Sequence, residues 1–422
     1  MRRESRQNLL LALATCAVAL LGVELGGRLL LQPDARAYGV LLGAPLPPIR
    51  IVGRSRPPDS DRDAWYDRLV VDGQRITVGD LRGYYRYHDS LGFVPLENSR
   101  SANGWWQAND IGAREPALTP PARPPGKTRY LLVGDSFAYG SRIRYQDTWA
   151  TQLETLAPGL DIVNLAVDGY GMGQAYLRYD DLRHRLEHDG VLLMFVPAVD
   201  LWRDVNTIRD LGEFWNVNIV MPRFVLSGDA LELVASPYAH PADVYADNRD
   251  GLSPRLRDHL RRYDRFYTRA LYESPPLLGS LLSYKICAAG WARVQRKATL
   301  HGLHDPGSEA LSVSRAIFRR MQNEAAAESR TFRLLILPAM SDLQEFARDE
   351  QRVADWQAMV QFVCDGVRNC VDLAPDLRAV PLQEFDSGYD GTHFGPRASR
   401  LIAKAVLKSL DLPDPPAGGS IR

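Results

Sequence analysis

Two short segments, one early and one near the carboxyl terminus, carry residue types that work together in nucleophilic chemistry. Gly134-Asp135-Ser136-Phe137, with Gly140 shortly after, follows an apolar run over 129–133. A serine on a tight turn from strand to helix stands at the carboxyl edge of a parallel sheet, where ligands bind in such folds. Its backbone N–H can also face a developing oxyanion. Taken alone, the tetrapeptide is a glycine-rich turn of a kind common to many α/β proteins. Asp390-Gly-Thr-His393 precedes a helix that Pro396 opens. An imidazole takes the serine's proton while a carboxylate fixes the tautomer and stabilises the imidazolium, and one turn here supplies both groups. Taken alone, the pair reads rather as a surface Asp/His pair that caps the last helix.

For these segments to meet, several strands must share one sheet with their carboxyl ends aligned. Strands are expected over 129–133, 161–166, 191–196 and 332–337, and helices over 148–156, 174–188, 311–327, 346–362 and 397–410. Strands alternating with helices of this length imply right-handed crossovers and a parallel sheet. Thr119-Pro-Pro-Ala-Arg-Pro-Pro-Gly126 interrupts regular structure ahead of the first strand. The alternation lapses between about 205 and 310. There, 218–225 and 231–234 read as a hairpin around Ser227-Gly-Asp, and Ser253-Pro254 opens a helix with Leu256, Leu260, Tyr263, Tyr267 and Leu271 on one stripe. The arginines off that stripe read as a solvated face.

Together the motifs resemble the SGNH (GDSL-type) hydrolase superfamily, and more narrowly its bacterial membrane-tethered members with an extended amino-terminal region. The resemblance runs from about residue 129 to the end of the last helix, interrupted by the insertion. Gly134-Asp135-Ser136-Phe137 is similar to the nucleophile block, which implies that Ser136 is the nucleophile and that its N–H helps to bind the oxyanion. Asn164-Leu-Ala-Val-Asp-Gly169-Tyr-Gly171 resembles the second block, which implies a second oxyanion donor at Gly169. Asp390-x-x-His393 resembles the final block, which implies His393 as general base and Asp390 as its orienting carboxylate. The third block departs from the pattern: Val196-Pro197-Ala198-Val199-Asp200 has Val199 where the family places an oxyanion asparagine. Losing one such donor typically costs about 10²–10³ in rate unless another group replaces it. Trp202 and Asn206 lie nearby in sequence.

The resemblance implies a three-layer α/β/α, flavodoxin-like domain with a parallel sheet, an amino-terminal transmembrane helix and an inserted subdomain. It implies esterase chemistry through an acyl-serine intermediate on an acylated glycan or lipid, with no cofactor and no metal. Two other readings stand beside it. One is O-acyl transfer, with acetyl moved to an exported polysaccharide and a membrane acyltransferase as partner. The other is a catalytically weak scaffold or glycan-binding protein that lacks the oxyanion asparagine.

The chain has 422 residues, 45% of them hydrophobic, enough for a sizeable core. Its 51 basic residues balance 51 acidic ones, which gives no electrostatic footprint for nucleic acid. The expected divisions are an anchor at 1–32, an extended tether and β-rich region at 33–127, the hydrolase domain at 128–204 and 310–413, the insertion at 205–309, and a disordered tail at 414–422. Residues 33–59 read as a tether or irregular wrap without a core of its own, and Arg68-Leu-Val-Val and Gly92-Phe-Val-Pro as short β-type runs. Arg2, Arg3 and Arg6 precede an apolar run that begins at Leu9 and continues past Glu24 and Arg28 to Leu31. That length suits a bilayer span with the positive flank in the cytoplasm, provided that Glu24 and Arg28 pair at i,i+4 near the outer headgroups. The implied location is the bacterial inner membrane, single-pass, with the catalytic domain in the periplasm or outside the cell. A cleaved signal peptide is the rival, and it exports the remainder equally.

Cys364 and Cys370 either close a small disulfide loop or are two buried thiols. His184 and His188 read as a polar helix face rather than a metal site. Trp105, Trp106 and Trp202 read as core aromatics rather than a sugar platform.

Overall fold

The computed structural model describes residues 3–34, 37–51, 84–101, 104–209, 219–273 and 275–410. The chain opens with α1 (Arg3–Leu29) and a small antiparallel pair, β1 (Gly39–Leu41) and β2 (Ala44–Leu46). Two further antiparallel pairs follow, β3 (Tyr85–His88) with β4 (Gly92–Pro95) and β5 (Ser99–Arg100) with β6 (Gln107–Ala108). The alternating segment comprises β7 (Thr128–Val133), α2 (Ser136–Tyr139), α3 (Trp149–Leu156), β8 (Leu160–Asn164), α4 (Met172–Leu182), β9 (Gly190–Phe195) and α5 (Pro197–Asp204). A hairpin, β10 (Arg223–Ser227) and β11 (Ala230–Val234), precedes the helices α6 (Pro241–Asn248), α7 (Pro254–Tyr263), α8 (Arg269–Tyr272) and α9 (Leu282–Gly302). The alternation returns with α10 (Glu309–Ala327), β12 (Thr331–Ile336), α11 (Met340–Phe346), α12 (Glu350–Cys364), β13 (Cys370–Asp372), α13 (Ala374–Arg378) and α14 (Pro396–Ser409).

The described residues form two compact units. One holds α1, β1, β2 and α6 to α9; the other holds the remaining strands and helices, including the hairpin β10–β11.

In the larger unit the five strands lie in the order β13-β12-β9-β7-β8, and every neighbouring pair is parallel. Numbered by appearance this is 2-1-3-4-5, the flavodoxin-like order, which puts a topological switch between β7 and β9 and a ligand crevice outside their carboxyl ends. Right-handed crossovers send α3 and α14 to one face, where they pack together, and α4, α10 and α12 to the other. Both faces are covered, so the central strands are apolar throughout: Leu131, Leu132 and Val133 of β7 and Val191 to Phe195 of β9 have no exposed surface.

Several local expectations change. β13 is only three residues long, too short for any period to show. The helix expected over 346–362 is α12, which starts later, at Glu350, because Asp349 accepts from the Gln351 N–H at 2.9 Å; α11 ahead of it was not expected. α4 ends at Leu182 rather than at 188, since the Glu187 N–H turns to the Pro121 carbonyl at 2.8 Å and the Asp189 N–H to that of Arg129 at 2.9 Å, leading into β9. His184 and His188 therefore share no helix face; His188 Nδ1 lies 2.7 Å from the Leu186 carbonyl. The hairpin begins at Arg223 and turns at Gly228 (φ +61), the left-handed first position that a II′ turn asks of glycine. Cys364 and Cys370 are bonded.

The smaller unit corrects the tether. Leu41 and Leu46 of the β1–β2 pair share a core cluster with Leu282, Ile286 and Ala289, an apolar stripe at helical spacing on α9. Glu24 of α1 accepts from the Leu282 and Ser283 N–H groups at 2.9 and 2.8 Å, at the start of α9, and lies 3.7 Å from Arg28 in the expected i,i+4 pair. Leu11 to Leu29 is long and apolar enough to cross a bilayer, and equally to serve as a signal sequence. The Arg68-Leu-Val-Val run, residues 52–59 of the tether and the tail at 414–422 lie outside the described residues.

Candidate active site

The turn after β7 is shaped by what its neighbours permit. Gly134 has φ +152, and a Cβ there would lie 2.7 Å from Ala138 Cβ and 2.9 Å from the Met194 carbonyl oxygen, so no larger residue fits. Asp135 caps α2, its Oδ1 accepting from the Phe137 N–H at 2.9 Å and the Ala138 N–H at 3.4 Å. One turn later Gly140, at φ +71, closes the helix in the left-handed region. Ser136 is thus the first residue of a single helical turn at the carboxyl end of a central strand.

The second half of the site is a loop before α14. The Gly388 N–H donates to the His393 carbonyl at 2.7 Å, and Ser387 bridges to Phe394, which closes the loop on itself. Within it Asp390 Oδ1 accepts from the Thr392 and His393 N–H groups at 3.0 and 3.1 Å. That leaves Oδ2 facing His393 Nδ1 at 2.6 Å, while His393 Nε2 lies 2.9 Å from Ser136 Oγ. Each distance is within hydrogen-bonding reach. The helix-cap reading of this motif falls to another residue: Asp386 accepts from the Arg397 and Ala398 N–H groups at 3.2 and 2.8 Å at the start of α14.

The charges favour this polarity. Burial pushes the Asp390 carboxyl up, but the hydrogen bond and charge of His393, with the His393 and Thr392 N–H groups, outweigh it and hold the carboxyl well below the usual range. The Phe137 ring lies 4.8 Å from the imidazole, centroid to centroid, and walls one side of it.

Gly169 sits in the loop after β8, and that loop is laced to the serine turn. Asn164 Nδ2 donates to the Ala138 carbonyl at 3.1 Å, and the Val167 N–H donates to the Gly134 carbonyl at 3.2 Å. A turn over Val167 to Tyr170 is closed at 3.2 Å, with Gly169 at its third position and φ +88, where a left-handed residue is required. From α5, Arg203 donates to the Tyr170 carbonyl at 3.1 Å and reaches Asp135 Oδ2 at 3.4 Å.

The third block is built differently. Asp200 is fully buried; its Oδ2 accepts from the Val196 N–H at 2.6 Å and its Oδ1 has no hydrogen-bond partner. Burial first, and then the charge of Asp135, push its carboxyl well above the usual range. Asp135 is also raised by burial, but Arg203 and the two capping N–H groups favour its charged form. Val199 lies in the first turn of α5 with its N–H on the Val196 carbonyl at 3.0 Å, and its side chain has no donor to offer. Asn206 and Trp202 are both buried.

No family model matches this chain, and no curated protein matches it. Among solved structures it is similar to LAE5, an α/β hydrolase enzyme from the metagenome of Lake Arreo, at 13% identity over 67% of this chain and 94% of that one, with a TM-score of 0.33. It is also similar to TesA, at 12% identity over 67% and 98% with a TM-score of 0.33. A third is a catalytic mutant of Axe2, an acetylxylan esterase from Geobacillus stearothermophilus, at 12% identity over 68% and 96% with a TM-score of 0.35.

Sequence reasoning missed Arg142. It is buried, adopts φ +67, and its guanidinium lies 3.3 Å from Asp390 Oδ2 and 3.6 Å from Asp168 Oδ2. Its carbonyl accepts the Tyr389 N–H at 3.4 Å, and the neighbouring Ser141 hydroxyl donates to Asp168 at 3.0 Å. One arginine thus joins the loop of Gly169 to the loop of Asp390 and His393. Arg203 was missed for the same reason: the partners of both arginines are distant in sequence, and no spacing rule links them. Trp106 and Trp202 are buried, as core aromatics should be, whereas Trp105 is partly exposed and stands edge-on to Tyr389 at 4.6 Å. Among the described residues no group of three or more His, Cys, Asp or Glu side chains is placed to hold a metal ion.

Proposed function

We propose that this chain is a serine esterase of the SGNH kind that cleaves acyl groups from an acylated glycan or lipid outside the cytoplasm, tethered by α1 as a single-pass anchor. The observation that carries the reading is the unbroken path from Ser136 Oγ through His393 to Asp390, with contacts of 2.9 and 2.6 Å. His393 Nε2 takes the hydroxyl proton as Oγ attacks the acyl carbonyl, and Asp390 stabilises the imidazolium. The Ser136 and Gly169 N–H groups receive the oxyanion. The alcohol then leaves with the imidazolium proton. Water, deprotonated by His393, attacks the acyl-serine; the acid departs and the hydroxyl is restored.

Val199 supports a second reading, a weakly catalytic or non-enzymatic glycan-binding protein, since the oxyanion would have two backbone donors and no side-chain amide. A fluorophosphonate probe separates the two. Labelling at Ser136, lost in Ser136→Ala and His393→Ala, is the outcome expected of an esterase, and a folded protein that never labels overturns that reading. For the tether, amino-terminal sequencing of the membrane-bound protein should find residues ahead of Leu9.

A further inference from the structure

Beside the candidate site lies a pocket of about 300 Å³ lined by Arg100, Trp105, Gln107, Arg144, Tyr145 and Gln146. We infer that it is a binding subsite for an acidic sugar, whose carboxylate or phosphate meets Arg100 and Arg144 and whose hydroxyls meet the amides of Gln107 and Gln146. The inference rests on the esterase reading only in making that sugar part of the substrate.

The walls are built rather than incidental. Arg114 is buried and donates to three carbonyls, those of Gly140 at 2.7 Å, Ile143 at 2.8 Å and Trp105 at 3.4 Å. It therefore ties the loop that carries Trp105 to the loop that leads into Arg144 and Tyr145. Opposite, Arg100 pairs with Gln107 across β5 and β6, and its guanidinium lies over Gly104, where a Cβ would come within 2.7 Å of the nearest nitrogen. Gly104 has φ +70, so both its conformation and its neighbour favour glycine. Among the described residues neither Arg100 nor Arg144 has a carboxylate partner, in a chain where most arginines near acidic groups are paired. Two such guanidinium forks in a pocket whose lining also includes the amides of Gln107 and Gln146 suit an anionic group on a ring rich in hydroxyls.

The pocket adjoins the loop of Asp390 and His393: Trp105 stands 4.6 Å from Tyr389, centroid to centroid, and Tyr389 immediately precedes Asp390.

The test uses the full chain in detergent with Ser136→Ala, so that nothing is turned over, titrated calorimetrically with an oligogalacturonate, a sugar phosphate oligomer and a neutral oligosaccharide of equal length. The expected result is at least tenfold tighter binding of an acidic oligomer than of the neutral one, with the acidic arms showing which anion is preferred. Arg100→Gln with Arg144→Gln should remove that preference, and the paired lysine substitutions should restore part of it, since they keep the charge but lose the fork. Equal binding of acidic and neutral oligomers, or a preference that survives the double glutamine variant with an unchanged melting temperature, would overturn the inference. Labelling of Ser136 in the unmodified chain is read separately. Labelling without an acidic preference removes the subsite and keeps the esterase, and acidic binding without labelling does the reverse.

Discussion

The loop over 386–395 and the turn over 196–204 each place an aspartate in a buried position near the carboxyl edge of the same sheet, yet they treat the charge in opposite ways. Asp390 receives two backbone N–H groups, an imidazole and a guanidinium, and its carboxyl stays ionised far into acid. Asp200 receives one N–H, has an oxygen with no hydrogen-bond partner among the described residues, and has its carboxyl pushed well above the usual range by burial and by the charge of Asp135. Burial alone does not set the contrast: it is the largest upward push on both carboxyls, although Asp200 is fully buried and Asp390 only partly so. What separates them is the number of donors that converge on the carboxylate, and a carboxylate that must stabilise an imidazolium needs those donors in place beforehand.

The largest expected effect follows from that contrast. Asp390→Asn should lower kcat for a small activated ester by about 10⁴-fold, because the amide presents the wrong partner to His393 and cannot stabilise its charge. Asp200→Asn should change kcat by less than about tenfold, since burial already disfavours the charge that the amide removes. Steady-state rates on the two purified variants decide the matter, and comparable losses in both would erase the distinction drawn here.

Next in size is Val199→Asn. If the turn over 196–204 lacks only the side-chain donor, the asparagine should raise kcat by up to about 10²-fold with little change in KM. An unchanged rate would mean that the two backbone donors already meet the need. A third substitution tests the brace: Arg142→Gln removes a guanidinium 3.3 Å from Asp390 and should cost about 10–10² in kcat, roughly the worth of one charge-assisted hydrogen bond. KM should move less than kcat, because Arg142 acts through Asp390 and the Gly169 loop.

Much of this site was legible before any coordinates. The serine turn and the Asp-x-x-His loop are local: their glycines, cap and carboxylate act on neighbours within a few residues, and such effects leave a trace in the sequence. The central strands were legible because full burial makes them apolar without interruption. Arg142, Arg203 and Arg114 were not, since each works by reaching across the sheet edge to carbonyls and carboxylates that folding alone brings near. The β1–β2 pair was missed because its apolar surface is small and is completed only by α9. The raised carboxyl of Asp200 was hidden too, as an Asp in a sequence does not reveal how many N–H groups will point at it.

The smallest effect, and the most diagnostic, is the response of stability to pH, where the two aspartates should have opposite signs. Asp390 has a lowered folded pKa, so its ionised form stabilises the fold at any pH above the ordinary carboxylate value of about 4, and that contribution is lost on acidification below it. The deficit of Asp390→Asn relative to the unmodified chain should therefore shrink as pH falls below about 4. Asp200 has a raised folded pKa, so its contribution is full below about 4 and is lost as pH rises toward and through the folded value. Asp200→Asn should gain on the unmodified chain as pH rises from about 4, by at most about 1.4 kcal/mol per unit, the limit for one proton. Urea midpoints of the three proteins from about pH 2 to about pH 8, which reaches well below the ordinary carboxylate value for Asp390 and well above it for Asp200, give the comparison directly. Curves that run parallel for Asp200→Asn and the unmodified chain would mean that Asp200 is ionised after all. The buried triad of Asp135, Asp200 and Arg203 would then need a second positive partner for its two negative charges.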